Sequence, residues 1–283
     1  NGAQFALVSK DCTSPAIRVN DVRKALRDLA IYVRNELVNL QVIGITGSQG
    51  KTTTKDLLRH ILSVSGETIA PEESLNNELG VPLLILRCSE TTKFCIVEMG
   101  ARHLGEIAKL VAIAEPDIGV VLKVGSAHLG EFGSVEKIAQ TKSEMISSLR
   151  DSAVAILGNY DAYTPKMAEL HKGKIVLFGE ESKCSIRATD IEFREGRAHF
   201  DLVTPEGRSA VALRIVGLHQ VANALAVAAI ATELGLTLDQ IAGGLSTAES
   251  NARWRMEIIE LPQLLLINDS YNASPEAMSA ALS

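Results

Sequence analysis

From Leu40 onward, short apolar runs alternate with segments whose apolar residues recur every three or four positions. Leu40, Val42, Ile43 and Ile45 make the first run, and Leu57, Leu58, Ile61 and Leu62 follow at helical spacing. Strands are expected at Phe94–Val97, Ile118–Leu122, Ala153–Leu157 and Ile175–Phe178. Helices are expected from Lys51 to near Gly66 as a left-handed C′ residue, over Leu104–Ile113 and Ser134–Leu149, and over Thr164–Leu170 with a threonine N-cap and Pro165 at N1. A loop with Asn76, Asn77 and Gly80 fills the gap after the first helix. Strands separated by helices of this length predict βαβ units, hence a mostly parallel sheet covered on both faces. Sites in such sheets lie beyond the C-terminal strand ends.

Between Cys184 and Val216 the period changes. Ile186–Phe193, Arg197–Val203 and Ala210–Ile215 read as strands split by turns, an antiparallel flank. A helix over Gln220–Leu234 ends at Gly235, and Thr237 with Gln240 forms a capping box. Leu264–Ile267 is a further strand, and Ser274-Pro275-Glu276 starts a last helix. Ahead of all this, residues 1–39 hold strands near Phe5–Val8 and Ala16–Val19 and a helix from Asp21 through Leu29. That is too little for an independent core, so it reads as the end of a domain begun upstream; the chain looks truncated at both ends.

The 283 residues allow a large core and more than one domain. A net charge of −6 argues against a general nucleic-acid binder, which needs a basic face. No apolar run is long enough to span a bilayer; Val221 to Leu236 contains Asn223 and Glu233 and reads as a buried helix. Cys12, Cys88, Cys95 and Cys184 lack Cys-x-x-Cys spacing, which fits reduced thiols in a cytoplasmic protein without a zinc site. The chain is expected to work as a monomer.

Candidate chemistry centres on Thr46-Gly47-Ser48-Gln49-Gly50-Lys51-Thr52-Thr53. Here an apolar strand ends in a glycine-punctuated turn and a helix begins. Backbone amides and the helix dipole favour phosphate there, Lys51 would reach the β- and γ-phosphates, and Thr52 would hold Mg²⁺. The loop is two residues shorter than the usual phosphate loop, since only Ser48 and Gln49 separate Gly47 and Gly50.

Other candidates follow from position. Glu98 ends the Phe94–Val97 run on the same sheet edge, where it could ligate the nucleotide's Mg²⁺ or simply be solvated. His128 follows the Ile118–Leu122 run on that edge, and position alone does not separate a functional histidine from a loop one. Lys142 falls on the apolar stripe of its helix with Ile138 and Met145. On pattern alone it snorkels to water. The sharper alternative is a desolvated, neutral amine, open to carbamate formation with CO₂ and so to metal ligation. His219 and Asn223 open a helix after Gly217, where polar residues commonly cap or bond locally. Asp269 follows a strand, a site-like position shared with ordinary turn aspartates.

Taken together, these motifs resemble the Mur ligases and their folylpolyglutamate synthase relatives. The shortened phosphate loop is followed in the family's order by Asn76-Asn77-Glu78-Leu79-Gly80-Val81-Pro82, Glu98-Met99-Gly100-Ala101, His128-Leu129-Gly130-Glu131-Phe132-Gly133-Ser134, Lys142-Ser143-Glu144 and Asp269-Ser270-Tyr271-Asn272-Ala273-Ser274-Pro275. The double asparagine and the last motif resemble the branch that joins D-alanyl-D-alanine to a UDP-N-acetylmuramoyl-tripeptide. The resemblance covers almost the whole chain. It implies the end of a UDP-substrate domain (1–39), a central phosphate-loop ATPase domain (40–251) and the start of a Rossmann-like domain (252–283).

The resemblance also implies roles. ATP would lie on Gly47, Ser48, Gln49, Gly50, Lys51, Thr52 and Thr53, with Asn76 and Asn77 in its motif set, Asn223 at adenine, and Arg255 and Asp269 reaching over from the third domain. One Mg²⁺ would bind Thr52 and Glu98; a second would bind Glu98, His128 and carbamylated Lys142. Two departures bear on the adenine side: Gln220 stands where the family usually has asparagine, and Leu157-Gly158-Asn159-Tyr160-Asp161 matches its segment loosely. Two other functions stay open: a family ligase adding another amino acid or glutamate, and a nucleotide-binding module without catalysis.

Overall fold

A computed structural model describes residues 4–13, 15–72, 75–127, 129–249, 257–261, 263–271 and 278–279. The strands are β1 (Ala6–Val8), β2 (Ala16–Arg18), β3 (Gln41–Thr46), β4 (Glu67–Ile69), β5 (Thr92–Glu98), β6 (Ile118–Val121), β7 (Val154–Gly158), β8 (Lys174–Gly179), β9 (Ile186–Arg194), β10 (Arg197–Thr204), β11 (Gly207–Val216), β12 (Glu257–Leu261) and β13 (Leu264–Asn268). The helices are α1 (Val22–Glu36), α2 (Lys51–Leu62), α3 (Gly80–Ile85), α4 (Glu106–Ala114), α5 (Leu129–Phe132), α6 (Val135–Ser147), α7 (Gln220–Glu233) and α8 (Leu238–Thr247), with a 3-10 helix at Thr164–Leu170.

Nine strands form one sheet in the order β11-β10-β9-β8-β7-β6-β3-β5-β4. From β4 to β9 neighbours run parallel, and β9, β10 and β11 form the expected antiparallel flank. Side chains alternate between two cores. Ile43, Ile45, Phe94, Ile96, Val120 and Ile156 meet α2, α7 and α8 on one face. Val42, Cys95, Val97, Val121 and Leu157 meet α1, α3, α4 and α6 on the other. Burial on both faces is why these strands read as near-continuous apolar runs. Helix α7 is buried nearly all round, as its composition predicts.

Several expectations need correction. Helix α2 ends at Leu62, because Ser63 N bonds Arg59 O and Ser65 N bonds Leu62 O, closing the last turn early. Gly66 has no left-handed backbone; it lies against Lys93, whose Cδ would stand 2.7 Å from an added Cβ. The stretch read as a loop contains β4 and α3, both too short to show periodicity. Thr164 does not cap an α-helix. Asp161 takes that task in a 3-10 turn, accepting from Tyr163 N (2.7 Å), Thr164 N (2.8 Å) and Thr164 Oγ1 (2.6 Å). The helix expected from Ser274 lies outside the described residues, while β12 joins β13 as an unexpected hairpin partner.

Helix α1 runs seven residues beyond Leu29 and is capped by Asp21, which accepts from Lys24 N. Ala30 is fully buried in the second core. Arg34 donates to Ala114 O (3.0 Å), Glu115 O (3.1 Å) and Asp117 Oδ2 (3.1 Å), and Asp117 in turn accepts from Val42 N (2.7 Å). Packing therefore ties α1 to the second core of the central sheet.

Candidate active site

The C-terminal ends of β3, β5, β6 and β7 open onto one rim of the sheet. The chain leaves β3 toward β4 and β5, then crosses back to β6 and β7, so its winding reverses between β3 and β6. Ligands in open α/β sheets lie at such a reversal.

The turn Gly47–Gly50 runs from β3 into α2. A Cβ at Gly47 would stand 2.9 Å from Leu122 Cβ, so a bare backbone is what lets the turn lie on the β6 exit. Gly50 has φ +85°, and a Cβ there would stand 2.3 Å from Asn223 Oδ1. Ser48 ties the turn down: its amide donates to Lys123 O (2.9 Å), and its hydroxyl donates to Gly125 O (3.2 Å) and accepts from Gly125 N (2.9 Å). Among the described residues no side chain caps α2, which leaves its first amides and the positive end of its dipole open to an anion.

Lys51 folds back on the turn, donating to Gly47 O at 2.8 Å. Thr52 Oγ1 donates to Glu98 Oε2 at 3.1 Å, and Asn76 Nδ2 donates to Glu98 Oε1 at 2.9 Å. Glu98 is 2% exposed. Among the described residues its hydrogen-bond partners are a hydroxyl and an amide, both neutral. Two neutral donors fix the orientation of this carboxylate, and a hydroxyl beside a carboxylate is an oxygen ligand set of the kind a hard divalent cation takes. No group of three or more His, Cys, Asp or Glu among the described residues could hold a metal alone.

Lys142 on α6 is 7% exposed. Burial, and then the charge of Lys51, bring its pKa down to about 7. The snorkelling alternative fails, and a neutral amine is accessible near neutral pH. The charge of Lys51 acts on Lys142, so the two side chains are neighbours.

The remaining candidates divide. Gln49 and Thr53 are half-buried at the turn and first helical positions. Asn77 turns away: its Oδ1 accepts from Leu79 N (3.1 Å) and Gly80 N (3.0 Å), capping α3. Asn223 packs behind Gly50, donating to Gln220 Oε1 (2.7 Å) and accepting from Thr54 Oγ1 (3.4 Å). It is 7% exposed, packed between the phosphate turn and α2. Asp269 is half-buried after β13, and its charge acts on His219, whose pKa burial and Lys123 lower. His128 and Arg255 lie outside the described residues.

Three side chains escaped the sequence reading. Asp161 Oδ2 accepts from Val124 N (2.9 Å), fixing the β6 exit beside the phosphate turn. Tyr160 OH is buried without a hydrogen-bond partner at the β7 exit. Lys55 is 2% exposed on α2. Its place three before Leu58 and seven before Leu62, on an apolar stripe, is the same signal that marked Lys142.

Comparison with known proteins agrees with this geometry. The family model described as the Mur ligase middle domain matches residues 45–231. The UDP-N-acetylmuramoyl-tripeptide–D-alanyl-D-alanine ligase of Mycobacterium tuberculosis is 43% identical over 265 residues, covering 92% of this chain and 52% of that protein. The Escherichia coli protein of the same name is 36% identical, covering 99% and 63%. A crystal structure of MurF from Acinetobacter baumannii aligns with TM-score 0.92 at 38% identity over 99% of this chain and 62% of that one. MurF ligase from Thermotoga maritima, solved with ADP, aligns with TM-score 0.86 at 30% identity, covering 100% and 65%. The chain thus spans between about half and two thirds of the length of these relatives.

Proposed function

This chain belongs to the Mur ligase family, and on that footing we propose that it is the nucleotide-handling part of an ATP-dependent ligase. The reaction joins D-alanyl-D-alanine to a UDP-N-acetylmuramoyl-tripeptide in peptidoglycan precursor synthesis. The observation that carries this reading is the rim on which Thr52 and Asn76 hold a buried Glu98 beside the phosphate turn and Lys142. The relatives' names supply the substrates.

The turn amides and Lys51 hold the ATP phosphates, with Lys51 moving from Gly47 O onto the β- and γ-phosphates. Thr52 and Glu98 would hold one Mg²⁺; Glu98, His128 and Lys142, if carbamylated on its neutral amine, would hold a second. When bound, Mg²⁺ withdraws charge from the phosphoryl oxygens. The γ-phosphoryl passes to the C-terminal carboxylate of the tripeptide, releasing ADP. The D-alanyl-D-alanine amine then attacks the acyl carbon, and the tetrahedral intermediate expels phosphate as the amide forms. Lys51 and the helix dipole offset charge on the transferring group. Arg255 and Asp269 close over the nucleotide and exclude water that would hydrolyse the acyl phosphate. Parts of the first and third domains flank this central one.

The test is turnover by the intact protein with ATP, Mg²⁺, UDP-N-acetylmuramoyl-tripeptide and D-alanyl-D-alanine. Expected is one ADP, one phosphate and one pentapeptide product per cycle, abolished by Lys51→Ala. ATP binding without amide formation from any amino acid or dipeptide would leave only a nucleotide-binding module.

A further inference from the structure

Lys55 is a whole ammonium-bearing side chain in the core, at 2% exposure. Its Nζ lies 2.7 Å from Asp56 Oδ1 and donates to Pro71 O at 2.7 Å. Burying an ammonium is costly even when it is paired, and an apolar side chain would pack there more cheaply. The sequence keeps the ammonium where it grips the backbone of the segment leading to Asn76.

That segment ends at the carboxylate already described. Asn76 Nδ2 holds Glu98 Oε1 at 2.9 Å, and Asn76 O accepts from Gly100 N at 2.9 Å. Gly100 lies close against the same side chain: an added Cβ would stand 3.0 Å from Asn76 Cγ, and the asparagine would have to give by a few tenths of an ångström. Pro71 is thus held by α2 and Asn76 by the end of β5. Thr52, one turn before Lys55 on α2, holds the other oxygen of Glu98. One helix therefore holds one oxygen of the carboxylate directly and grips the backbone five residues ahead of the side chain that holds the other.

We propose that Lys55 is a positioning residue for the metal-binding carboxylate, acting through Pro71 and Asn76 to fix the orientation of Glu98. This rests on the reading of Glu98 as an Mg²⁺ ligand. Groups that orient a metal ligand typically contribute about 10- to 100-fold in metal affinity.

The experiment measures Mg²⁺-dependent binding of a fluorescent non-hydrolysable ATP analogue to the intact protein, alongside binding in EDTA. Lys55→Met is expected to raise the Mg²⁺ concentration for half-maximal binding about tenfold while leaving binding in EDTA unchanged. Lys55→Gln, which keeps a donor for Pro71 O, is expected to recover most of the loss. Asn76→Ala is expected to give the same shift, and the double variant no more than either single one. A normal Mg²⁺ requirement in Lys55→Met, or in Asn76→Ala should Lys55→Met not fold, overturns the proposal, as do additive shifts. Failure of the unaltered protein to bind the analogue with Mg²⁺ would instead sink the ligase reading.

Discussion

Thr52 Oγ1 donates to Glu98 Oε2 across 3.1 Å, joining the first turn of α2 to the end of β5. The hydrogen bond holds a buried carboxylate beside the phosphate turn, where, on the proposed reading, its charge serves a cation while its shape anchors Thr52 and Asn76. Removing that charge separates the two effects. Glu98→Gln is expected to change the melting temperature of the metal-free protein little, because a side chain of the same shape still accepts at this position. It is expected to weaken Mg²⁺-dependent nucleotide binding and to lower turnover about 100-fold or more. Thermal melts with and without Mg²⁺, beside phosphate release, check both.

Lys142 gives the pH dependence. Its pKa lies at about 7, brought down by burial and by Lys51. The reactive neutral amine therefore gains as pH rises through 7, whereas an ordinary lysine stays protonated to about 10.4. With ¹³C-bicarbonate, a carbamate resonance is expected above pH 7, fading on acidification and absent in Lys142→Ala. Turnover lost in Lys142→Ala is expected to return in part with a short carboxylic acid. The same shift makes the unfolded chain bind more protons than the native one between pH 7 and 10. The Lys142 contribution to stability thus rises with pH across that window. Lys142→Met is expected to flatten that rise in denaturant titrations.

Gly50 tests the phosphate turn. Alanine there meets both a left-handed backbone, φ +85°, and Asn223 Oδ1 at 2.3 Å. Gly50→Ala is expected to cost about 1–3 kcal/mol and to abolish nucleotide binding. Adding Asn223→Ala removes the collision and leaves the backbone strain. A double-mutant cycle is expected to show partial recovery of stability.

Arg34 tests where the central unit begins. Its side chain is buried against Ala114 O, Glu115 O and Asp117. Arg34→Ala is expected to cost about 3 kcal/mol by urea titration, since it breaks a buried pair. A chain starting at Asn20 is expected to melt like the full one, and a chain starting at Leu40 well below it.

How much was legible follows from what leaves a period. β3, β5, β6 and α7 are buried on every side, so their apolar runs announced them, and the Gly47–Lys51 turn announced the phosphate site. β4, α3 and α5 span 3, 6 and 4 residues, too few for a period to emerge. Position along a strand placed Glu98 on the rim, but nothing in sequence told that Asn76 would hold it while Asn77 capped a helix. The two asparagines are neighbours with opposite tasks, decided by which side chain the α3 start takes up. That Asn223 faces Gly50 was not legible for a related reason: it is a tertiary contact across 173 positions of sequence. The apolar stripe did mark a buried lysine at Lys142, and applied to α2 it would have marked Lys55.

The most direct measurement is a crystal structure of the intact protein with a non-hydrolysable ATP analogue and Mg²⁺. The account predicts a metal about 2.0–2.1 Å from Thr52 Oγ1 and a Glu98 oxygen. It also predicts Lys51 Nζ on the β- and γ-phosphates and the phosphates on the amides of residues 47–53. A nucleotide bound away from the 47–53 turn, or a metal without Glu98 among its ligands, would contradict it.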